Sequence, residues 1–111
     1  MGKINSRQKG AAGEREFANF LTDHGHEARR GQQFSGSPDS PDVVCKSLND
    51  FNIEVKRREK FSLNNVYEAI AKALEDDPDR WPMIAYRSNG KKWMICMDAE
   101  DFLDQLEPAD D

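Results

Sequence analysis

Cysteine is scarce in this chain, and long hydrophobic runs are missing. The 111 residues include two cysteines, Cys45 and Cys96. Each sits inside an apolar run, and neither has the spacing of a metal-binding motif. That excludes a disulfide scaffold and a structural zinc site, and predicts a reduced, packed pair. No run approaches the roughly 18 apolar residues of a membrane span. The opening MGKINSRQKG lacks the apolar core of a signal peptide, which predicts a cytoplasmic protein. Repeats and low-complexity tracts are absent too. What is present is polar: 33% charged against 37% hydrophobic, with a mean hydropathy of -0.88. The apolar residues nevertheless fall in clusters, so a single globular domain over 1–111 is expected, with an acidic tail at about 107–111.

Charge of one sign dominates only part of the chain. The whole carries 16 Lys and Arg against 21 Asp and Glu, a net of -5. As one number this argues against a nucleic-acid partner. Residues 1–60, however, hold 11 basic and 9 acidic residues, whereas residues 61–111 hold 5 and 12. The acid gathers at 75–79, 98–104 and 107–111, the base at Arg7–Lys9, Arg29–Arg30 and Lys56–Lys60. A locally basic surface on an acidic protein can bind a polyanion with salt-sensitive affinity.

Asn5 or Ser6 caps a predicted helix that runs to about His24, with Ala11, Phe17, Phe20 and Leu21 on its apolar face and Gly25 as its stop. Residues 27–33 read as a polar edge strand and 34–41 as a loop. Residues 41–46 and 51–56 read as two strands of one hairpin. Ser62 starts a second helix with the face Leu63, Val66, Ile70, Ala73 and Leu74, which Asp77-Pro78 ends. Residues 82–87 and 92–97 read as strands around the turn signal Asn89-Gly90. Asp98 caps a short helix to about Leu106. The order α-β-β-β-α-β-β-α predicts an α/β fold, a mixed central sheet flanked by helices.

Glu54 and Lys56 lie two apart on a strand and share one face, while Ile53 and Val55 point into the core. A charged pair in such a strand needs water, a metal or a partner before it. With the hairpin turn centred near Asn49, Asp42 falls opposite Lys56 and beside Glu54. Two carboxylates on adjacent strands make a hard-oxygen site suited to Mg²⁺, with Mn²⁺ as a substitute. Glu14 on the first helix can supply a third. A lysine beside such a site can orient the attacking water or stabilise a phosphorane-like charge.

Pro41-Asp42 followed by Glu54-Val55-Lys56 resembles the PD-(D/E)xK nuclease motif, and the αβββαβ order resembles the restriction-endonuclease-like core of that superfamily. The segment Arg7 to Glu16, RQKGAAGERE, is similar to the N-terminal helix of archaeal-type and phage Holliday-junction resolvases. So are Phe20-Leu21, His24-Gly25, and Arg30 with Ser35-Gly36-Ser37. The resemblance covers about residues 7–87. It implies that Asp42 and Glu54 are metal ligands, that Lys56 is the catalytic lysine, and that Glu14 is the helix carboxylate near the metal. Ser35 or Ser37 would lie in a loop that positions the scissile phosphate. Arg7, Lys9 and Arg30 would contact the DNA backbone, with Arg57 and Arg58 in the adjoining basic segment. Of two candidate aspartates, Asp39 and Asp42, the second is chosen because it opens the apolar run VVC. The function so implied is a Mg²⁺-dependent endonuclease of branched DNA, serving recombination and repair.

His24 and His26 read as surface residues. Trp81 and Trp93 read as core or dimer-face residues, and Phe34 as a packing residue or a junction wedge. A four-way junction is nearly two-fold symmetric, which predicts a homodimer. Its interface material would be 92–97, Met83, Trp81 and the helix with Phe102, Leu103 and Leu106. Three other readings remain: a PD-(D/E)xK nuclease for a nicked, flap or restriction-type substrate, a non-catalytic DNA-binding module, and an acidic DNA mimic. A mimic would need neither Lys56 nor the basic cluster at 56–60.

Overall fold

Helix α1 (Ser6–Asp23) opens the chain and is followed by strands β1 (Ala28–Arg30), β2 (Val43–Cys45) and β3 (Phe51–Arg57). Helix α2 (Leu63–Asp76), strands β4 (Trp81–Arg87) and β5 (Met94–Cys96), and helix α3 (Ala99–Asp104) complete it. The structure is a computed structural model that describes residues 6–32 and 41–108, with side chains from Gly10 onward. The element order is the expected one. The strands form one sheet in the order β1-β2-β3-β4-β5, antiparallel except for the parallel β3–β4 pair, which α2 connects.

Helix α1 packs on β1, β2 and β3 and closes the main core. Phe17, Ala18 and Leu21 meet Val43, Cys45, Ile53, Met83 and Ala85, all nearly inaccessible. Each fully buried large side chain contributes about 1.5–3 kcal/mol through removal from water. The helix stops where Gly25 takes φ +89° and the His26 N–H reaches back to the Leu21 carbonyl at 2.9 Å. Helix α2 lies on the opposite face, across β3 and β4. Ser62 caps it, its Oγ accepting from the Asn65 N–H at 3.2 Å. Buried Asn52 on β3 donates from Nδ2 to the Ala73 carbonyl at 3.1 Å and ties strand to helix. Pro82 sits buried in β4 where β5, which pairs only from Ile84 to Tyr86, makes no claim on an N–H.

Several expectations require correction. The edge strand over 27–33 is three residues long, and the strand over 92–97 is confined to Met94–Cys96. The short linker between β2 and β3 forms a 3₁₀ turn, Lys46–Leu48. Leu63 and Leu74 do not enter the core: they are 74% and 49% exposed. Helix α2 spans only two strands, so Val66, Ala69, Ile70 and Ala73 suffice to cover them, and the flank with Leu63, Tyr67 and Leu74 is left outside. Met83, expected at an interface, is buried in the core, and Trp81 is half-buried against Phe51 with ring centres 5.6 Å apart. Trp93 packs on Phe17 at 4.9 Å. Cys45 and Cys96 are both free, as expected. No helix among the described residues is long and apolar enough to cross a membrane.

Candidate active site

Strands β2 and β3 pair at Val43 and Ile53 and then part, and Asp42 stands in the fork. Its backbone N–H donates to the Ile53 carbonyl at 2.9 Å, and its Oδ2 accepts from the Val55 N–H at 2.9 Å. The carboxylate therefore occupies a position in the ladder that a backbone carbonyl would otherwise fill. No buried donor is orphaned where the strands separate, and the side chain is fixed in place.

Glu54 is its partner. Burial, the charge of Asp42 and a hydrogen bond with Asp42 push the Glu54 carboxyl from the ordinary 4.5 up to about 8, against the pull of Lys56. Two carboxyls this close cannot both ionise freely, so the pair holds a proton near neutrality. The hairpin turn is centred one residue earlier than expected, because the 3₁₀ turn takes up Lys46–Leu48. Asp42 consequently meets Glu54 and not Lys56. Lys56 remains on the same strand face as Glu54, half-buried, with its charge acting on it.

Glu14 approaches from α1 and is 9% exposed. Burial first, and then the charge of Asp42, raise its pKa, while Arg30 opposes by donating from Nε to its Oε1 at 3.1 Å. Asp42 thus acts on both Glu54 and Glu14, but Glu14 is turned toward Arg30. Among the described residues no group of three or more His, Cys, Asp or Glu side chains is arranged to hold a metal ion. Asp42 and Glu54 are a pair of hard oxygen donors that carry an excess proton in the absence of a cation. That donor chemistry fits Mg²⁺ or Mn²⁺, whose charge would replace the proton.

The basic residues expected at the DNA divide into three groups. Arg30 is held by Glu14, as described. Arg57 donates from Nε to Glu16 Oε2 at 3.2 Å and from a terminal nitrogen to Asn89 Oδ1 at 2.8 Å. Arg87 binds the other oxygen of Glu16. Arg58 is exposed and lies over the Phe61 ring at 5.7 Å. Phe34, Ser35, Ser37 and Asp39, and the side chains of Arg7 and Lys9, lie outside the described residues. His24 and His26 are exposed, as expected.

Sequence reasoning missed the cluster of Glu16, Arg57 and Arg87, which joins α1 to β3 and β4. The available signal was Gly13, three residues before Glu16 on the same helix face. A Cβ there would stand 2.7 Å from the Arg57 Cβ, so only glycine lets the helix approach the strand this closely.

A family model described as "Phage putative PDDEXK endonuclease" matches residues 5–109. Among solved structures, the chain is similar to Archaeoglobus fulgidus Hjc, a Holliday junction resolvase from an archaeal hyperthermophile. The match has a TM-score of 0.53 and 22% identity, and covers 92% of this chain and 79% of that one. The likeness establishes the fold, a restriction-endonuclease-like mixed sheet flanked by helices. No curated protein matches the chain.

Proposed function

The chain belongs to the PD-(D/E)xK endonuclease family, and on that premise we propose that it is a divalent-metal-dependent endonuclease acting on branched DNA, four-way junctions above all. The observation that carries the reading is the fork itself. Asp42 and Glu54 converge where two strands part, with Lys56 on the same face.

Asp42 and Glu54 would hold the ion, and Glu14 would join them on release from Arg30. A bound Mg²⁺ or Mn²⁺ would supply Lewis acidity and lower the pKa of a coordinated water. The protein's own contribution is orientation and charge. The Val55 N–H holds Asp42 at a fixed angle. Lys56 donates a hydrogen bond to the attacking water or to a phosphate oxygen as negative charge grows there. Burial around Glu54 strengthens each of these interactions. Arg7, Lys9, Arg30, Arg58 and the serines Ser35 and Ser37 would position the DNA backbone.

A junction presents two strands for cutting, and two copies about a two-fold axis would present two sites. The material for such an interface is the exposed apolar surface of α2, β5 and α3, which includes Tyr67, Met94 and Leu103 at 70%, 58% and 63% exposure. The test is cleavage of supercoiled plasmid and of a synthetic four-way junction, each with Mg²⁺, Mn²⁺, Ca²⁺ or excess EDTA. Cleavage with Mg²⁺ or Mn²⁺, and binding with little cleavage in Ca²⁺, are expected. Full activity in EDTA would overturn the metal assignment. Equal treatment of junction and linear duplex would leave a general nuclease.

A further inference from the structure

We infer that the β4–β5 hairpin and the outer flank of α1 form a second DNA-backbone site, in which Lys91 and Lys92 bind phosphates away from the scissile one. This inference rests on the nuclease reading above and extends it to a surface that reading does not use.

Three of the five Lys and Arg residues after position 60 fall within 87–92, in the half of the chain that is otherwise strongly acidic. The fold places them at a groove of about 710 Å³ between α1 and the hairpin. Its rim carries Glu16, Asp23, His24, Arg87, Lys91 and Lys92, and its floor is Phe20 and Trp93. Glu16 is neutralised by Arg57 and Arg87 together. Lys91 and Lys92 are exposed and form no ion pair among the described residues, so the rim retains a surplus of positive charge against Asp23 alone. From Glu16 to Asp23 the helix rises about 10 Å, roughly the rise of three base pairs.

The hairpin is also braced by hydrogen bonds, which an incidental basic loop need not be. Gly90 turns the chain at φ +72°, and the Lys91 N–H closes on the Ser88 carbonyl at 3.1 Å. Arg87 Nε donates to the Lys91 carbonyl at 2.6 Å. The Asn89 N–H donates to Glu59 at 2.7 Å, and Arg57 holds the Asn89 side chain. Because β3 and β4 run parallel with Arg57 beside Arg87, the hairpin emerges at the end of the sheet where Lys56 lies. The groove lies on the α1 face at that end, and Lys56 on the opposite face, so a DNA strand that continues past the fork and around the end of the sheet would meet Lys91 and Lys92. Fixing in advance the backbone that carries the two lysines lowers the entropy lost when DNA binds.

The experiment is fluorescence anisotropy with a labelled four-way junction and a 30-base-pair duplex, in Ca²⁺, over a series of salt concentrations. The double variant Lys91→Ala/Lys92→Ala should bind roughly tenfold more weakly near 0.1 M salt, and its log K against log salt slope should shrink by about 1.8 for two lost phosphate contacts. Lys72→Ala, an exposed lysine on the polar side of α2, is the control for simple loss of charge. Asp23→Asn should tighten binding, an effect that damage to the fold cannot produce. If the double variant matches Lys72→Ala in affinity and slope while the unaltered protein binds and cuts DNA, this inference fails and the nuclease reading stands. If the unaltered protein neither binds nor cuts any DNA, both fail.

Discussion

Glu54 governs the pH behaviour expected of the protein without metal. Its carboxyl titrates near 8 in the fold against 4.5 when unperturbed, so the native state holds a proton that the unfolded chain releases between those values. Stability from this group is fully present below about 4.5 and is lost as pH rises through 8. The melting temperature in EDTA should therefore fall across this window relative to Glu54→Gln, which cannot ionise. Mg²⁺ should raise it more at pH 8 than at pH 5.5, because the cation binds the deprotonated pair. A wild-type melting temperature that rose relative to Glu54→Gln over the same range would contradict the arrangement. The same residues separate binding from chemistry. Asp42→Asn, Glu54→Gln and Lys56→Ala should each lower cleavage by orders of magnitude, with circular dichroism unchanged, while Asp39→Asn should have little effect. An inactive Asp39→Asn beside an active Asp42→Asn would reverse the ligand assignment.

At the scale of elements, the contact that matters most is between α1 and β3, because it sets Glu14 against the fork. Gly13 allows it: a methyl group there would meet the Arg57 Cβ at 2.7 Å and the Val55 Cγ1 at 3.8 Å. Gly13→Ala should cost about 1–3 kcal/mol of stability in urea unfolding, by forcing the helix outward. It should also reduce cleavage, by moving the helix that carries Glu14. Neutral stability on this change would mean that the strand yields easily. The helix and strands themselves were legible from apolar periodicity, capping residues and the Asn-Gly turn. Their lateral spacing was not, since it depends on an arginine Cβ from a segment 44 residues away in sequence.

At the scale of the whole molecule, the large exposed hydrophobics among the described residues lie on α2, β5 and α3 and, with Leu106, just after α3. On α2, Leu63, Tyr67 and Leu74 lie on the side of the helix opposite Asp76, whose charge acts on Glu54, so a partner that covered this side would leave the fork open. Leu103→Glu, with Leu103 63% exposed on α3, should convert a homodimer to a monomer in light scattering at micromolar concentration, with no loss of folded signal. Junction preference over duplex should fall with it. A protein already monomeric before the change would remove the dimer from the proposal.

Much of this molecule follows from local order along the chain. Helix spacing in 6–24, alternation in 51–57, and the Pro-Asp and Glu-x-Lys signals are near-neighbour patterns. They determined the element order and the mixed sheet, and they single out Asp42, Glu54 and Lys56 as candidates. Tertiary structure alone decided how those residues meet. The placement of the turn brought Asp42 to Glu54 and not to Lys56. Ion pairing across elements set Arg30 against Glu14 and Arg57 against Glu16, partners that charge counting along the chain does not identify. Periodicity marks which residues of α2 are apolar, but the width of the sheet beneath the helix determines how many of them are buried. A charge has no direction in a sequence; it acquires one only when the fold supplies its nearest opposite.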